Sequence, residues 1–351
     1  MKKIFCAALI ALCVAACSKE EGAALPESGK KVTLTLNVSP YHVETKNTGL
    51  PNANSAQFDS IKLMEIFVFR EDGVLEVYNK SYITDPGGVQ TKHIKINMTP
   101  GKKYIYAVAN AKISPWAGAT TRSKFLAQEV LLKYENFGNV TLSAATEITI
   151  TDHMTMEIYL KKLLARVRVR SISTSFANSP YRDMKLKNIK LYLTNVEGKK
   201  TYMGEEPATP LILNSGGYVA ADNSSTAMAN MMYEPISEEI GTNYYNKEHY
   251  LYCFENLLEE ETATKKFTRL ILEAELDNKK YYYPVDINQP GYGWDISMDH
   301  RGVKRNTSYD LRFVISGPGL DNPDDKLDQK TLTVQSYVSA WSSGGSFETT
   351  F

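Results

Sequence analysis

Lys31–Ser39 reads KVTLTLNVS. Val32, Leu34, Leu36 and Val38 alternate with Thr33, Thr35 and Asn37, so four apolar side chains leave one face of an extended strand. Upstream stands Cys17 in VAAC, and downstream Lys46 stands in VETKNTG. A strand held between a membrane anchor and a cuttable bond can be packed first and removed later. That arrangement points to an assembly protein rather than an enzyme.

Working outward, Lys2 and Lys3, the apolar run Ile4–Val14 and the small residues before Cys17 form a processing signal. The run is too short to stay as a membrane-spanning helix. It resembles a bacterial lipobox, which implies cleavage before Cys17 and acylation of its sulfur; the alternative is an ordinary signal peptide cut at a neighbouring small residue. Ser18-Lys19-Glu20-Glu21 resembles an acidic lipoprotein export signal, or serves simply as a solvated tether. Of the 4 cysteines, Cys6 and Cys13 leave with the signal and Cys17 is acylated. Cys253 alone remains, so no internal disulfide is expected and it reads as a small buried residue.

The 351 residues favour two domains over one. Forty basic and 40 acidic residues balance, which gives no reason to expect nucleic acid as a partner. The 22 tyrosines and the recurring Thr- and Val-rich alternation argue for β structure. Residues 44–57 form a polar loop open to proteases. Ile61–Arg70 and Val74–Tyr78 flank a hairpin turn at Glu71-Asp72-Gly73. His93–Met98 and Tyr104–Ala109 read as a second strand pair around Pro100-Gly101. Ser123–Lys133 is the best helical candidate, Thr226–Met232 a short second one, and Glu147–Leu160 a return to strand.

Lys161–Ile172 (KKLLARVRVRSI) alternates sharply, with Ala165, Val167 and Val169 opposite Arg166, Arg168 and Arg170. Such a stripe suits phosphate or acidic glycan, but cations on one face of one strand favour a half-solvated strand. Met184–Thr194, Lys200–Met203, His249–Glu255, Arg269–Leu276, Lys280–Ile287, Ser308–Ile315 and Thr331–Trp341 are further strands, with a turn at Asp277-Asn278. The expected organisation is a signal at 1–16, a tether at 17–30 and a removable strand and cleavage loop at 31–46. Domains at 47–162 and 163–330 follow, then a C-terminal strand region at 331–351. The expected fold class is all-β, two β-sandwich domains with minor helices.

Catalytic signals are poor. His42, His93, His153, His249 and His300 are scattered, and no nucleophile elbow, P-loop or paired-cysteine motif occurs. Neither a cofactor nor a metal is expected. Asp321–Asp325 offers hard oxygens for calcium but lacks the glycine and distal Glu of an EF-hand loop, so a solvated turn is favoured. Trp116, Trp294 or surface tyrosines could form a glycan site, although core aromatics are commoner.

Several segments match a family in order along the chain. Pro100–Ala111 (PGKKYIYAVANA), Leu164–Val169 (LARVRV), Tyr252–Leu257 (YCFENL) and Arg305–Gly319 (RNTSYDLRFVISGPG) resemble motifs of Bacteroidetes fimbrillins, the type V pilins. Thr331–Trp341 is similar to their terminal strand ending in Trp. The resemblance implies two transthyretin-like β-sandwich domains and lipoprotein export to the surface of the outer membrane. It further implies that an Arg- or Lys-specific protease removes the first strand, here between Lys46 and Asn47. The chain departs from the family pattern there, since the best-studied members have Arg at the cut where this sequence has Lys46. Neighbouring subunits then fill the vacated groove with a C-terminal strand. The exchanging residues would be Val32, Leu34, Leu36 and Val38 on one side, and Leu332, Val334, Val338 and Trp341 on the other. The expected role is a structural, shaft-forming subunit of a fimbrium, whose partners are other fimbrial subunits, the processing protease and a host or bacterial receptor. Alternatives are a tip adhesin, an anchor subunit, or a monomeric glycan-binding surface lipoprotein.

Overall fold

The computed structural model describes residues 30–41, 60–113, 115–135, 140–176, 180–223, 231–242, 245–292, 299–327 and 332–341. The chain is almost wholly β. Its N-terminal half carries β1 (Val32–Pro40), β2 (Leu63–Arg70), β3 (Leu75–Tyr82), β4 (Lys92–Met98), β5 (Gly101–Ala109), α1 (Arg122–Leu126), β6 (Glu129–Leu131), β7 (Leu142–Ile150) and β8 (Met154–Lys162). Seven of these strands follow the order β3-β2-β5-β7-β8-β1-β4. At the centre, β7 and β8 pair only through Leu142 with Lys162 and Ser143 with Lys161. The sheet therefore folds over along that seam. The apolar faces of β2 and β5 share one core with those of β1, β4 and β8.

Local chemistry accounts for the turns. Between β2 and β3, Gly73 sits at φ +77°, and the Asp72 carboxylate accepts from the Val74 amide at 3.0 Å. The strands expected around Pro100-Gly101 are present, but they do not pair. β4 bonds to β1, while β5 bonds to β2 and β7, so the short link crosses from one layer to the other. The single strand expected over Glu147–Leu160 is two strands, β7 and β8, which turn at residues 151–153.

The expected helix at Ser123–Lys133 shrinks to α1, capped by the Thr121 hydroxyl, and a 3₁₀ turn at Leu132–Tyr134. Phe125, Val130 and Leu132 all enter the core, and no single helical face could bury the three while β6 pairs with a distant strand. This segment covers the outer face of β2 and β5. Phe125 lies 4.5 Å from Phe67, 5.0 Å from Tyr106 and 5.2 Å from Trp116 between ring centroids. Trp116 is thus a core residue, its indole N–H donating to Glu65 at 2.9 Å. Trp294 lies outside the described residues.

The C-terminal half carries β9 (Leu164–Thr174), β10 (Lys187–Thr194), β11 (Val196–Glu197), β12 (Lys199–Thr201), β13 (Ile212–Leu213), β14 (Tyr233–Ile236) and β15 (His249–Phe254). It continues with β16 (Asn256–Leu257), β17 (Arg269–Leu276), β18 (Lys279–Asp286), β19 (Gly302–Val303), β20 (Thr307–Ile315) and β21 (Leu332–Ala340). Two four-stranded sheets dominate, β14-β10-β17-β18 and β15-β9-β20-β21. The β17–β18 turn places Asp277 and Asn278 at φ +53° and +58°, the left-handed pair that a two-residue hairpin needs. Residues 226–230 of the second helical candidate lie outside the described residues. The two halves join where β6 pairs with β12 and where Trp116 meets Tyr202 at 4.7 Å.

The arginine stripe of β9 departs from expectation. Arg166 and Arg168 are buried, and only Arg170 is half-exposed. Neighbouring strands supply the counter-groups on the same face. Arg168 pairs with Asp310 of β20 and lies 3.6 Å from Glu248, while Arg166 donates to the Ser308 hydroxyl at 2.9 Å. Burial opposes the charge on Arg168, yet the hydrogen bond and charge of Asp310 outweigh it and raise its pKa. Cys253 is fully buried, which pushes its thiol up to about 12. In the Asp321–Asp325 turn, the Asp324 carbonyl accepts from Arg269 at 2.6 Å.

Candidate functional site: the first-strand slot

β1 lies between two strands of opposite sense. Val32–Val38 pairs antiparallel with Met98–Lys92 of β4, and Leu34–Pro40 pairs parallel with Met154–Leu160 of β8. Val32, Leu34, Leu36 and Val38 are each fully buried, and they sit in one core with Ile94, Ile96, Ile158 and Leu160. Burying four such side chains contributes about 6–12 kcal/mol as an upper estimate. On the opposite face, Asn37 ties both neighbours, donating to Glu157 at 2.7 Å and meeting His93 Nδ1 at 2.6 Å. Thr33 donates its amide to His153 Nδ1 at 2.8 Å and its hydroxyl to Asn97 at 2.9 Å. Without β1, the slot would present two open backbone edges above an apolar floor.

The other expected exchange residues occupy a separate place. β21 runs antiparallel along β20 over nine residue pairs, at the edge of its own sheet. Leu332 is buried in a core that runs through both halves, while Val334 and Val338 are half-buried against it. That core is distinct from the one holding β1. Trp341 closes the strand. Its amide donates to the Asn306 carbonyl at 2.8 Å, and its carbonyl accepts from Lys162 at 3.1 Å. Its ring lies 5.1 Å from the Lys162 ammonium, 5.4 Å from the Arg166 guanidinium and 5.4 Å from the Tyr252 ring. Burial holds Arg166 below the usual guanidinium pKa, although Asp310 opposes that effect. Cys17, Lys46 and Asn47 lie outside the described residues.

Arg305 has a structural role that its sequence context does not disclose. It reaches from the C-terminal half to the seam, donating to the carbonyls of Lys162 (3.0 Å), Met203 (2.8 Å) and Lys161 (2.7 Å) and to the Ser143 hydroxyl (2.9 Å). Burial draws its guanidinium down to about 10, against the pull of Glu255. Gly204 is placed for this contact, since a Cβ there would lie 2.6 Å from Arg305 Nη1. Two of the motif asparagines are turn residues whose side chains bond the backbone. Asn110 (φ +61°) accepts from the Lys62 amide and donates to the Ser60 carbonyl, and Asn306 (φ +58°) accepts from the Lys162 amide. Recurrence of N at strand ends was the available signal.

Comparison with known proteins places these features in a family. Residues 163–341 match the model of the fimbrium tip subunit Fim1C-like, C-terminal domain, and residues 32–161 match that of the major fimbrial subunit protein FimA. A candidate fimbrium tip subunit, Fim1C of Parabacteroides distasonis, is 24% identical over 353 residues, covering 92% of this chain and 88% of the relative. The crystal structure of a candidate cell adhesion protein from the same species aligns with TM-score 0.66 at 19% identity, over 89% of this chain and 97% of that one. The tip fimbrial protein Mfa3 of Porphyromonas gingivalis, with a C-terminal truncation, aligns with TM-score 0.56 at 15% identity, over 89% and 100%.

Proposed function

The chain belongs to the type V fimbrillin family, and from that premise we propose that this fimbrial subunit accepts a neighbour's strand in the β1 slot and stands at the tip of its fimbrium. The observation that carries acceptance is the full burial of Val32, Leu34, Leu36 and Val38 between two paired edges. An incoming strand of like alternation can satisfy both edges and the apolar floor. The tip position is supported by the Fim1C-like match and by β21, which is seated on β20 and closed by Trp341. A terminal subunit has to accept a strand but need not give one. A shaft position is favoured by a different observation, the half-buried Val334 and Val338, which would let β21 leave as a donor. In either position we read residues 162–163 as the boundary between two domains.

Before assembly, the reading has Cys17 acylated, which holds the precursor at the outer membrane, and the segment through Lys46 removed by an Arg- or Lys-specific protease. Mature subunit isolated from fimbriae should then begin at Asn47 by mass spectrometry. A fimbrial form that still starts at Cys17 would remove processing from the scheme.

Two engineered crosslinks separate the positions. Thr35 faces Lys95 across β1 and β4, and Arg312 faces Gln335 across β20 and β21. Facing residues in antiparallel strands are close enough for a disulfide. The Thr35→Cys/Lys95→Cys pair should abolish incorporation when oxidised and restore it on reduction. The Arg312→Cys/Gln335→Cys pair should leave incorporation intact for a tip subunit and stop fibre growth for a shaft subunit. Incorporation with β1 locked in place would refute acceptance at the slot.

A further inference from the structure

We infer that the cleft between the two halves is a binding site for an acidic saccharide. The cleft has a volume of about 710 Å³ and opens where β7 and β8 part beyond Ser143 and Lys161. Its floor there is small, formed by Ala144 and Ala145, so a flat ring can approach the sheet. Tyr159 projects from β8 on one side with 54% of its surface exposed, beside Tyr41 at 36%. Arg122 stands on the other side. Its guanidinium lies 4.0 Å from the Tyr104 ring centroid, and Nε donates to the Tyr106 hydroxyl at 2.6 Å. That contact holds the guanidinium in the lining of the cleft while engaging only its Nε–H.

The charge arrangement selects the ligand. Two of the lining cations are already engaged, Lys304 by Asp299 at 2.8 Å and Arg305 by its carbonyls. Lys161 lies 5.9 Å from the Tyr41 ring centroid. Among the described residues, neither Lys161 nor Arg122 is within ion-pair distance of a carboxylate. A carboxylate arriving from outside would meet a planar donor fork and an ammonium. Exposed tyrosine rings stack on the apolar faces of sugar rings, and of the lining carboxylates Glu205, Glu255 and Asp299, Glu255 takes the Arg305 amide and Asp299 takes Lys304, which leaves Glu205 to accept from hydroxyls. A sugar acid combines the three requirements, whereas an acidic peptide meets only the first. The inference is made of the unprocessed chain, in which the cleft is complete: Tyr41 lies in the segment whose removal through Lys46 is proposed above, while Arg122, Tyr159 and Lys161 lie outside it.

The test is titration of the full, unprocessed protein by calorimetry. The probes are oligosaccharides ending in glucuronic, galacturonic or sialic acid, their neutral counterparts, and pentaglutamate. At least one acidic saccharide should bind saturably, with its neutral counterpart about tenfold weaker or worse, as loss of a charge-assisted contact requires. Lys161→Gln and Tyr159→Ala, both at exposed positions, should each weaken that binding by a similar factor with the melting temperature unchanged. Failure of every acidic saccharide to bind would overturn the inference. So would binding indifferent to both substitutions, or equal binding of pentaglutamate.

Discussion

Leu36→Asp should leave no cooperatively folded subunit. Leu36 lies mid-strand in β1, fully buried, opposite Ile94 of β4 and Met156 of β8. Truncation alone, in Leu36→Ala, should lower the unfolding free energy by about 3–5 kcal/mol through lost transfer energy and the cavity left behind. A carboxylate at the same point adds the cost of a buried, unpaired charge, and together these approach the whole margin of a typical domain. Thr35→Ala, on the half-exposed face, should cost about 1 kcal/mol or less. Urea unfolding followed by tryptophan fluorescence measures all three. If Leu36→Asp unfolds within about 1 kcal/mol of the parent chain, β1 is not an integral part of this core.

The second large effect is expected at Arg305. Arg305→Met removes the donors to five oxygens at the seam, those of Lys161, Lys162, Met203 and two from Ser143. An orphaned buried acceptor costs about 1–3 kcal/mol, and water from the adjoining cleft recovers part of it, so a net loss of about 3–5 kcal/mol is expected. Arg305→Lys should rescue little, because an ammonium cannot reproduce the planar fork. Gly204→Ala should give part of the same loss, since its methyl would displace Nη1. Calorimetry should show the single transition of the parent chain split into two as the halves uncouple. A single transition at the parental temperature would mean that the β6–β12 pairing and the aromatic contacts carry the junction without Arg305.

Elements whose signal is local were legible in the sequence. The alternation of β1, the turns at Glu71-Asp72-Gly73 and Asp277-Asn278, and the alternation over Lys161–Ile172 that becomes β9 all depend on neighbours a few residues apart. Pairing was not legible in the same way. Pro100-Gly101 has the composition of a hairpin turn, but β4 finds its partner in β1, with Leu34 beside Ile96, and that competition is settled by the core rather than by the turn. The burial of Arg168 was hidden for the same reason, since Asp310 is 142 positions away. Arg305 stood in a recognisable motif, but its role depends on carbonyls that face it only after both halves have folded. Of the candidate site, the four inward residues of β1 could be read directly. The seat of β21 and the closing contacts of Trp341 could not, because they require Lys162, Arg166 and Tyr252 to converge from separate strands.

The geometry around β1 also has a mechanical consequence. A strand in that slot is bonded along both flanks, and its axis lies along β4 and β8. Tension applied end to end would load those bonds in parallel, so the strand could leave only by shearing both ladders at once. β21, held along one flank at a sheet edge, can be peeled from an end one pair at a time. A filament whose links occupy slots of the first kind would resist drag along its length far better than it would resist a pull applied across it.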